Sequence, residues 1–246
     1  STDTGRITGF EALARWSHPD RGMISPAEFL PAVEQAGQLE RLAEVMMYHS
    51  FAALKAWDGA GVDVPQVGVN FAGSELNNPK LIDKIQWELD RFELTPNRLA
   101  VEVLETVVAT APDDMITRNI NALGELGCRI DLDDFGTGHA SIASIRRFSV
   151  SRIKIDRSFV MKADRDPEQQ RMISAILTMA ERLDVETLAE GVETVGEHVL
   201  LAQLGCSHVQ GFGIARPMPF EKTLDWIDRH NTKLEDVPHI MNNKSH

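Results

Sequence analysis

The sequence contains little cysteine, with only Cys128 and Cys206 among 246 residues. These two lie far apart and fit neither a metal-ligand spacing nor a disulfide framework. We therefore expect both to be small buried hydrophobic residues in a reducing compartment rather than catalytic thiols.

Positive charge is also scarce, with 25 Lys and Arg against 37 Asp and Glu and a net charge of −12. Proteins that grip DNA or RNA use mainly lysine and arginine, so we expect no nucleic acid polymer as partner. A small anionic ligand is still compatible, because divalent cations held between carboxylates invert the local charge. If the ligand carries phosphate, the composition favours a metal site.

Long apolar runs, low-complexity tracts and a signal-peptide pattern are lacking, and no stretch approaches the about 18 apolar residues of a transmembrane helix. We expect no membrane insertion and a cytoplasmic domain, which a longer parent protein could tether to a membrane. The length suits one large α/β barrel. We assign residues 1–233 to this domain and 234–246 to a frayed or vector-derived tail.

Candidate strands alternate with helical segments along the chain, at 7–16, 66–71, 98–104, 128–133, 152–156, 186–190 and 208–212. Ser25-Pro26 is typical of a helix start, Gly37 and Gly127 are typical of helix ends, and 167–183 carries a helical apolar stripe. The alternation predicts a parallel sheet covered by helices. A closed (β/α)8 barrel needs eight strands, so one is missing.

Side chains of one parity along these strands are apolar, and those of the other parity are polar: Glu11, Arg15, Asn70, Glu102, Asp131, Asp133, Lys154, Asp156, Glu190 and Gln210. Alternate side chains of a strand face opposite sides, so the polar set would point into a barrel. Any single acid at a strand end is most often solvated or caps a helix. Polar residues of one parity on seven strands, however, predict a shared site. Ion pairs to Arg15 and Lys154 would compensate the buried charge of the acids only in part.

The chemistry of this set favours hard divalent cations, because its oxygen ligands include no histidine or cysteine. We expect Mg²⁺ or Mn²⁺ rather than zinc. In the Asp133-Asp134 pair, the first carboxylate can bridge two ions while the second holds one, an arrangement suited to in-line displacement at phosphorus. Lys154 would hold the attacking water or a phosphate oxygen. Its alternative interpretation is an internal ion pair with Asp156 or Glu102.

Seven segments resemble the signatures of the EAL domain family, bacterial phosphodiesterases that hydrolyse cyclic di-GMP: GFEALARW, VGVNFAGSEL, VEVLET, IDLDDFGTGHAS, RIKIDRSFV, LAEGVET and VQGFGIARPMP. They follow the family's order across residues 5–230. The resemblance implies a modified TIM (β/α)8 barrel with one antiparallel strand. The family's first strand, upstream of GFEAL, is absent from this sequence, which matches the missing eighth strand. Either the chain is truncated or another element fills the gap.

The resemblance also implies roles for individual residues. Two metal ions would be held by Glu11, Asn70, Glu102, Asp133, Asp134 and Glu190. Lys154 would contact the catalytic water, and the catalytic set would also include Glu11, Asp156 and Glu190. Substrate would be bound by Arg15, Leu13 and Gln210, with Gln210 also completing the water and metal shell. Glu105 would anchor a flexible loop that begins at Asp134, and Glu193 would support the same region. The implied reaction opens one phosphodiester of cyclic di-GMP to linear pGpG.

The sequence departs from the family pattern without losing a metal ligand. Leu104 replaces a hydroxyl residue, Asp131 occupies a position usually small and apolar, and His139 with Ala140 replaces Tyr-Ser. These changes put the rate in doubt more than the chemistry.

Three hypotheses follow. The first is an active phosphodiesterase, in which Ca²⁺ would bind but inhibit, working as a homodimer fused to or regulated by sensory or GGDEF domains. The second is a degenerate domain that senses cyclic di-GMP without cleaving it. The third, without the resemblance, is another metal-dependent barrel enzyme such as an enolase-like one.

Overall fold

A computed structural model describes residues 1–109, 114–137 and 142–235. Two predictions fall partly or wholly outside these residues. They are the departures at His139 and Ala140 and most of the predicted tail at 234–246.

The core of the fold is a curled parallel sheet. Its seven strands span Phe10–Glu11 (β1), Val67–Phe71 (β4), Leu99–Leu104 (β5), Arg129–Phe135 (β6), Arg152–Ile155 (β7), Glu186–Ala189 (β8) and His208–Val209 (β9), while β2 and β3 form a separate hairpin described below. They are hydrogen-bonded in the order β1-β4-β5-β6-β7-β8-β9, and every neighbouring pair is parallel. This confirms the predicted parallel, TIM-barrel-like sheet of seven strands. No antiparallel strand joins this sheet within the described residues.

The predicted strand at 7–16 is wrong in extent. Only Phe10–Glu11 pairs with β4, and the chain then leaves the sheet and forms an antiparallel hairpin of Trp16–His18 (β2) with Gly22–Ile24 (β3). The turn is stabilised locally, because the ring of His18 accepts backbone N–H groups and Gly22 takes a left-handed φ of 72°. The strand parity applied to this segment therefore fails beyond Glu11.

Helices cover the outside of the sheet. They span Pro26–Gln35 (α1), Leu39–Gly59 (α2), Gly73–Leu76 (α3), Leu81–Arg91 (α4), Met115–Leu126 (α5), Ile142–Arg147 (α6), Arg157–Val160 (α7), Pro167–Arg182 (α8), Val195–Gln203 (α9) and Thr223–Glu235 (α10). The predicted punctuation is confirmed: Ser25 precedes Pro26 at the start of α1, and Gly127 ends α5 in the left-handed conformation.

The main hydrophobic core lies between the sheet and these helices. The apolar parity of the strands faces it, as predicted, with Val67, Val69, Val101, Val103, Ile130, Leu132 and Ile153 all buried. On β1, Phe10 stacks on Trp57 of α2 at a centroid distance of 5.1 Å. Both predicted buried thiols, Cys128 and Cys206, are buried and unpaired.

Residues at and next to the two edge strands of the sheet, β1 and β9, contact each other without forming a strand ladder. Thr2 N donates to Ser207 O at 3.1 Å, and Thr8 Oγ1 lies 3.3 Å from His208 Nδ1. The sheet therefore curls enough for its edges to approach each other without a further strand between them in the described residues. Among those residues, no helix combines the length and apolarity needed to cross a membrane.

Candidate active site

Polar side chains converge at the carboxyl ends of the parallel strands. Because all seven strands run the same way, these ends meet at one rim of the sheet. The rim carries Glu11 of β1, Asn70 of β4, Glu102 of β5, Asp133 and Asp134 of β6, Lys154 of β7, and Glu190 and Gln210 just after β8 and β9. The structure thus brings together residues separated by up to 199 positions in the chain.

Lys154 is the centre of this cluster. Its ammonium nitrogen lies 2.8 Å from Glu102 Oε2, 2.8 Å from Glu190 Oε1, 3.0 Å from Asp133 Oδ1 and 3.6 Å from Glu11 Oε2. The lysine side chain is only 1% exposed. A buried charge needs partners, and four carboxylates around one ammonium leave an excess of negative charge.

Two amide side chains complete the ring of contacts around Glu11. Asn70 Nδ2 donates to Glu11 Oε1 at 3.1 Å and to Glu102 Oε2 at 3.2 Å. Gln210 Nε2 donates to Glu11 Oε2 at 2.6 Å. In this arrangement the NH₂ group of Asn70 faces the acids, so metal ligation through its oxygen requires rotation of the amide.

Gly68 makes room for the cluster, and sequence reasoning missed it. A Cβ at this position would overlap the carboxylate of Glu102 on the neighbouring strand. The glycine stands two residues before Asn70, so its lack of a side chain lets Glu102 lie flat against β4. The only sequence signal for this role was a glycine inside a predicted strand, which often marks a place where another group approaches the backbone closely.

The Asp133-Asp134 pair departs from regular strand geometry. The β6–β7 register shifts between Leu132 and Phe135, and Asp134 has a left-handed φ of 54°. In a regular strand, successive side chains face opposite sides. Here the distortion allows carboxylate oxygens of Asp133, Asp134 and Glu190 to lie within 4.8 Å of one another. Three oxygen donors at this spacing suit a hard divalent cation.

Crowding shifts the pKa values of these groups. Burial, together with the charges of Glu11 and Asp133, raises the pKa of Glu102 well above its usual value despite Lys154. Burial also raises the pKa of Glu190 to about 7. The pKa of Asp134 is raised by burial and by the neighbouring charge of Asp133. For Lys154, burial lowers the pKa, but the surrounding carboxylates together raise it well above its usual value, so the ammonium stays charged.

Asp156 and Glu105 hold the neighbouring loops. Asp156 caps α7 by accepting Ser158 N at 2.9 Å, and its charge contributes to the raised pKa of Asp134. Buried Glu105 accepts Gly136 N at 2.9 Å, in the turn that follows Asp134. This contact is compatible with the loop-anchoring role that the family resemblance implies for Glu105.

Three predicted site residues lie outside the cluster. Arg15 is exposed and donates to the carbonyl oxygen of Ala14, so the inward orientation predicted from parity is wrong, because β1 ends at Glu11. Leu13 is 40% exposed. Glu193 is exposed and contributes a backbone N–H to Glu197. Their proposed roles toward substrate or loop depend on a ligand approaching them.

A second buried ion pair lies one layer deeper and was not anticipated. Arg152 Nε donates to Asp131 Oδ2 at 3.0 Å, and both side chains are buried. The sequence had suggested Asp131 as an additional acid in the barrel, within a polar set that Arg15 and Lys154 would compensate only in part. Arg152 supplies the missing cation from the adjacent strand, in direct register with Asp131.

Comparisons with known proteins show which family and which fold the chain resembles. The family model described as EAL domain matches residues 1–217. The chain is 34% identical over 221 residues to the bifunctional diguanylate cyclase/cyclic di-GMP phosphodiesterase MucR of Pseudomonas aeruginosa, covering 89% of this chain and 32% of that protein. It is 34% identical to the cyclic di-GMP phosphodiesterase RocR of the same organism, covering 91% of this chain and 57% of RocR.

A solved structure described as the PaMucR phosphodiesterase in complex with c-di-GMP superposes with a TM-score of 0.84 at 33% identity, covering 89% of each chain. The chain thus spans between about a third and somewhat over half of the length of these two curated relatives.

Proposed function

The chain belongs to the EAL domain family, and on that premise we propose that it is a metal-dependent phosphodiesterase that hydrolyses cyclic di-GMP to linear pGpG. The observation that carries the proposal is the packing of Lys154 among Glu11, Glu102, Asp133 and Glu190, beside Asp134. The names of MucR and RocR, and the c-di-GMP complex of the matching structure, support the substrate.

The donor set fits divalent cations. Five carboxylates meet one ammonium at the rim, and burial has raised the pKa of three of them, Glu102, Asp134 and Glu190. A bound cation would stabilise the ionised form of these carboxylates, so the cluster is electrostatically suited to divalent metal ions. We propose that Glu11, Asn70, Glu102, Asp133, Asp134 and Glu190 hold two Mg²⁺ or Mn²⁺ ions. When bound, these ions would polarise the phosphodiester and lower the pKa of an attacking water.

The chain's own groups would then position and deprotonate the water. The Lys154 ammonium, kept charged by its carboxylates, can donate to the attacking water or to a phosphate oxygen. Glu190, whose carboxylate lies 2.8 Å from the Lys154 ammonium that would hold the water, is the group we propose to accept its proton. The water oxygen bonds to phosphorus, the P–O3′ bond breaks, and the leaving oxygen takes a proton from solvent. One water is consumed, and pGpG has a free 5′-phosphate.

The remaining substrate contacts are also proposals. Arg15 and Leu13 are exposed beside the rim and would close on the bound dinucleotide, with the Arg15 guanidinium at a phosphate. Gln210 already reaches Glu11 and would complete the water and metal shell. Glu105 and Glu193 would hold the loop segments on either side.

In the parent protein, we propose that the domain is cytoplasmic and works beside a diguanylate cyclase or sensory domain, which the bifunctional name of MucR supports. The homodimer expected from the family resemblance would appear by size-exclusion chromatography with light scattering as twice the chain mass of 27.3 kDa. A monomer at assay concentrations would contradict it.

The test is incubation with cyclic di-GMP and Mg²⁺, Mn²⁺ or Ca²⁺, with pGpG followed by chromatography. We expect product with Mg²⁺ or Mn²⁺ and little with Ca²⁺, which is larger and less demanding in geometry. Glu11→Ala should abolish turnover, whereas Glu34→Ala, at an exposed carboxylate of α1, should not. Tight binding without product under every metal would reject the enzyme and favour a cyclic di-GMP sensor. Equal turnover with Ca²⁺ and Mg²⁺ would contradict the two-metal geometry.

A further inference from the structure

A buried carboxylate outside the cluster connects the loops that surround it. Glu197 is the third residue of α9 and is only 4% exposed. A buried glutamate needs several hydrogen-bond donors to remain ionised. The identity of these donors indicates what the side chain does.

Part of the environment of Glu197 is a helix cap. Thr194 Oγ1 accepts Glu197 N at 3.2 Å, and Glu197 Oε2 accepts Thr194 N at 3.0 Å, which together form a capping box. The same oxygen also accepts Glu193 N at 2.9 Å. These bonds order the start of α9 and the loop after β8.

The other carboxylate oxygen is not needed for the cap. Glu197 Oε1 accepts the backbone N–H of Lys162 at 2.8 Å. Lys162 lies just after α7, the short helix that follows β7, and β7 is the strand that carries Lys154. Lys162 has a left-handed φ of 61°. A non-glycine residue in this conformation needs support from its surroundings.

Glu197 therefore joins two strand-end loops. One follows β7, the strand of Lys154, and the other follows β8 and begins with Glu190. The two segments pack closely at Gly191 and Arg157, where a Cβ added to the glycine would overlap the arginine side chain. Small displacements between them would change the 2.8 Å contact from Glu190 to Lys154.

The β8 loop is also tied to the last strand. Val192 N donates to Gln210 O at 3.0 Å, and Gly213 N donates to Val192 O at 2.8 Å. Gln210 in turn contacts Glu11. The loop that Glu197 fixes is thus connected to three of the strand ends that form the rim.

We propose that Glu197 is a positioning residue that holds Glu190 at its working distance from Lys154 by tying the β7 and β8 loops together. The role rests on the proposed phosphodiesterase function, because it serves the same site. Burial alone raises the pKa of Glu197, but its bonds to the backbone of Lys162, Glu193 and Thr194 lower the pKa overall, in agreement with an ionised bridge.

The test compares Glu197→Ala with Thr194→Ala. Both variants break the capping box, but only Glu197→Ala removes the carboxylate that accepts Lys162 N and Glu193 N. For Glu197→Ala relative to Thr194→Ala, we expect kcat and Mn²⁺ affinity to fall by about 10- to 100-fold, with KM little changed, as for groups that orient metal ligands. The amide of Lys162 should exchange with solvent faster in Glu197→Ala only.

Equal kcat, Mn²⁺ affinity and exchange in the two variants would overturn the proposal. If Glu197→Ala fails to fold, Glu197→Gln replaces it, because its single carbonyl oxygen can keep the cap but cannot also accept Lys162 N. We then expect faster exchange at Lys162 and weaker Mn²⁺ binding, and wild-type values for both would reject the bridge. A wild-type protein without hydrolysis would reject the proposed function, while Mn²⁺ titration and amide exchange would still decide the role of Glu197.

Discussion

Glu190 should make the metal-free protein less stable as the pH rises from acidic to neutral. Burial is the main reason that its pKa is raised from 4.5 to about 7, and the neighbouring Asp133 adds to it, although Lys154 opposes both. Its side chain is 19% exposed, so solvent screens these interactions only in part. The folded protein therefore holds a proton on this carboxyl in a pH range where the unfolded chain has lost it.

The sign and size follow from proton linkage. Between pH 4.5 and about 7 the folded state binds more protons than the unfolded state, so the free energy of unfolding falls as the pH rises. One pKa unit corresponds to about 1.4 kcal/mol, which gives a loss of about 3 kcal/mol across this range. Glu102 and Asp134, whose pKa values are also raised, add in the same direction.

Urea denaturation in EDTA measures the contribution of Glu190 through the variant Glu190→Gln. The amide resembles the protonated acid, so we expect the variant to be more stable than the wild type by about 3 kcal/mol at pH 8 and nearly equal to it at pH 4. Glu181→Gln, at an exposed carboxylate, is the control and should show no such pH-dependent difference.

Divalent cations should remove most of this difference. The proposed function has Mg²⁺ or Mn²⁺ bound to the ionised carboxylates of the folded state, so either ion should stabilise the wild type at pH 8 more than Glu190→Gln. A variant that is no more stable than the wild type at pH 8 in EDTA would refute the reasoning, since Glu190 would then be ionised without cost.

Other predictions concern positions away from the rim. Burial raises the pKa of Cys128 to about 12, so iodoacetamide at pH 8 should modify it in urea but not in the folded protein, and labelling of the native state would contradict its burial. Hydrogen bonding to His208 is the largest cause that lowers the pKa of Glu186 to about 2, so the ionised Glu186 stabilises the fold above pH 4.5 and this stabilisation is lost as the pH falls through 2. Glu186→Gln should flatten that part of the acid denaturation curve. An unchanged curve would count against the contact with His208. Asp131→Ala should lower the free energy of unfolding by about 3–5 kcal/mol because Arg152 is left buried and unpaired. The double variant with Arg152→Met should recover much of that loss in urea melts, and equal losses in both proteins would show that the unpaired charge is not the cause.

Much of the fold was predictable because it depends on local periodicity. Six of the predicted strands agree with the observed ones to within a few residues, and the apolar parity faces the helices. The segment at 7–16 was mispredicted, because its apolar spacing fits a strand although only Phe10–Glu11 finds a partner in β4. A strand depends on a neighbour that local sequence does not supply.

The sequence predicted which residues would form the candidate site better than it predicted how those residues are arranged. Strand parity and the family resemblance identified the acids and Lys154, since the ends of parallel strands must meet at one rim. The same parity placed Arg15 inward, and the structure corrects this because the strand ends first. The bridge from Glu197 to Lys162 gave no sequence signal beyond the capping box, because its second partner is 35 residues away.

The alternation of strands and helices, the oxygen-rich donor set and the membership of the EAL family could all be recognised from the sequence, because they depend on residue types in a fixed order. How the charges are compensated became visible in the folded chain: Lys154 reaches Glu102 across 52 residues, and Arg152 neutralises Asp131 across 21. The folded chain also shows how Asp133 and Asp134 share one site, through a left-handed residue in an irregular strand. Such interactions depend on distances between segments, which a linear pattern does not contain.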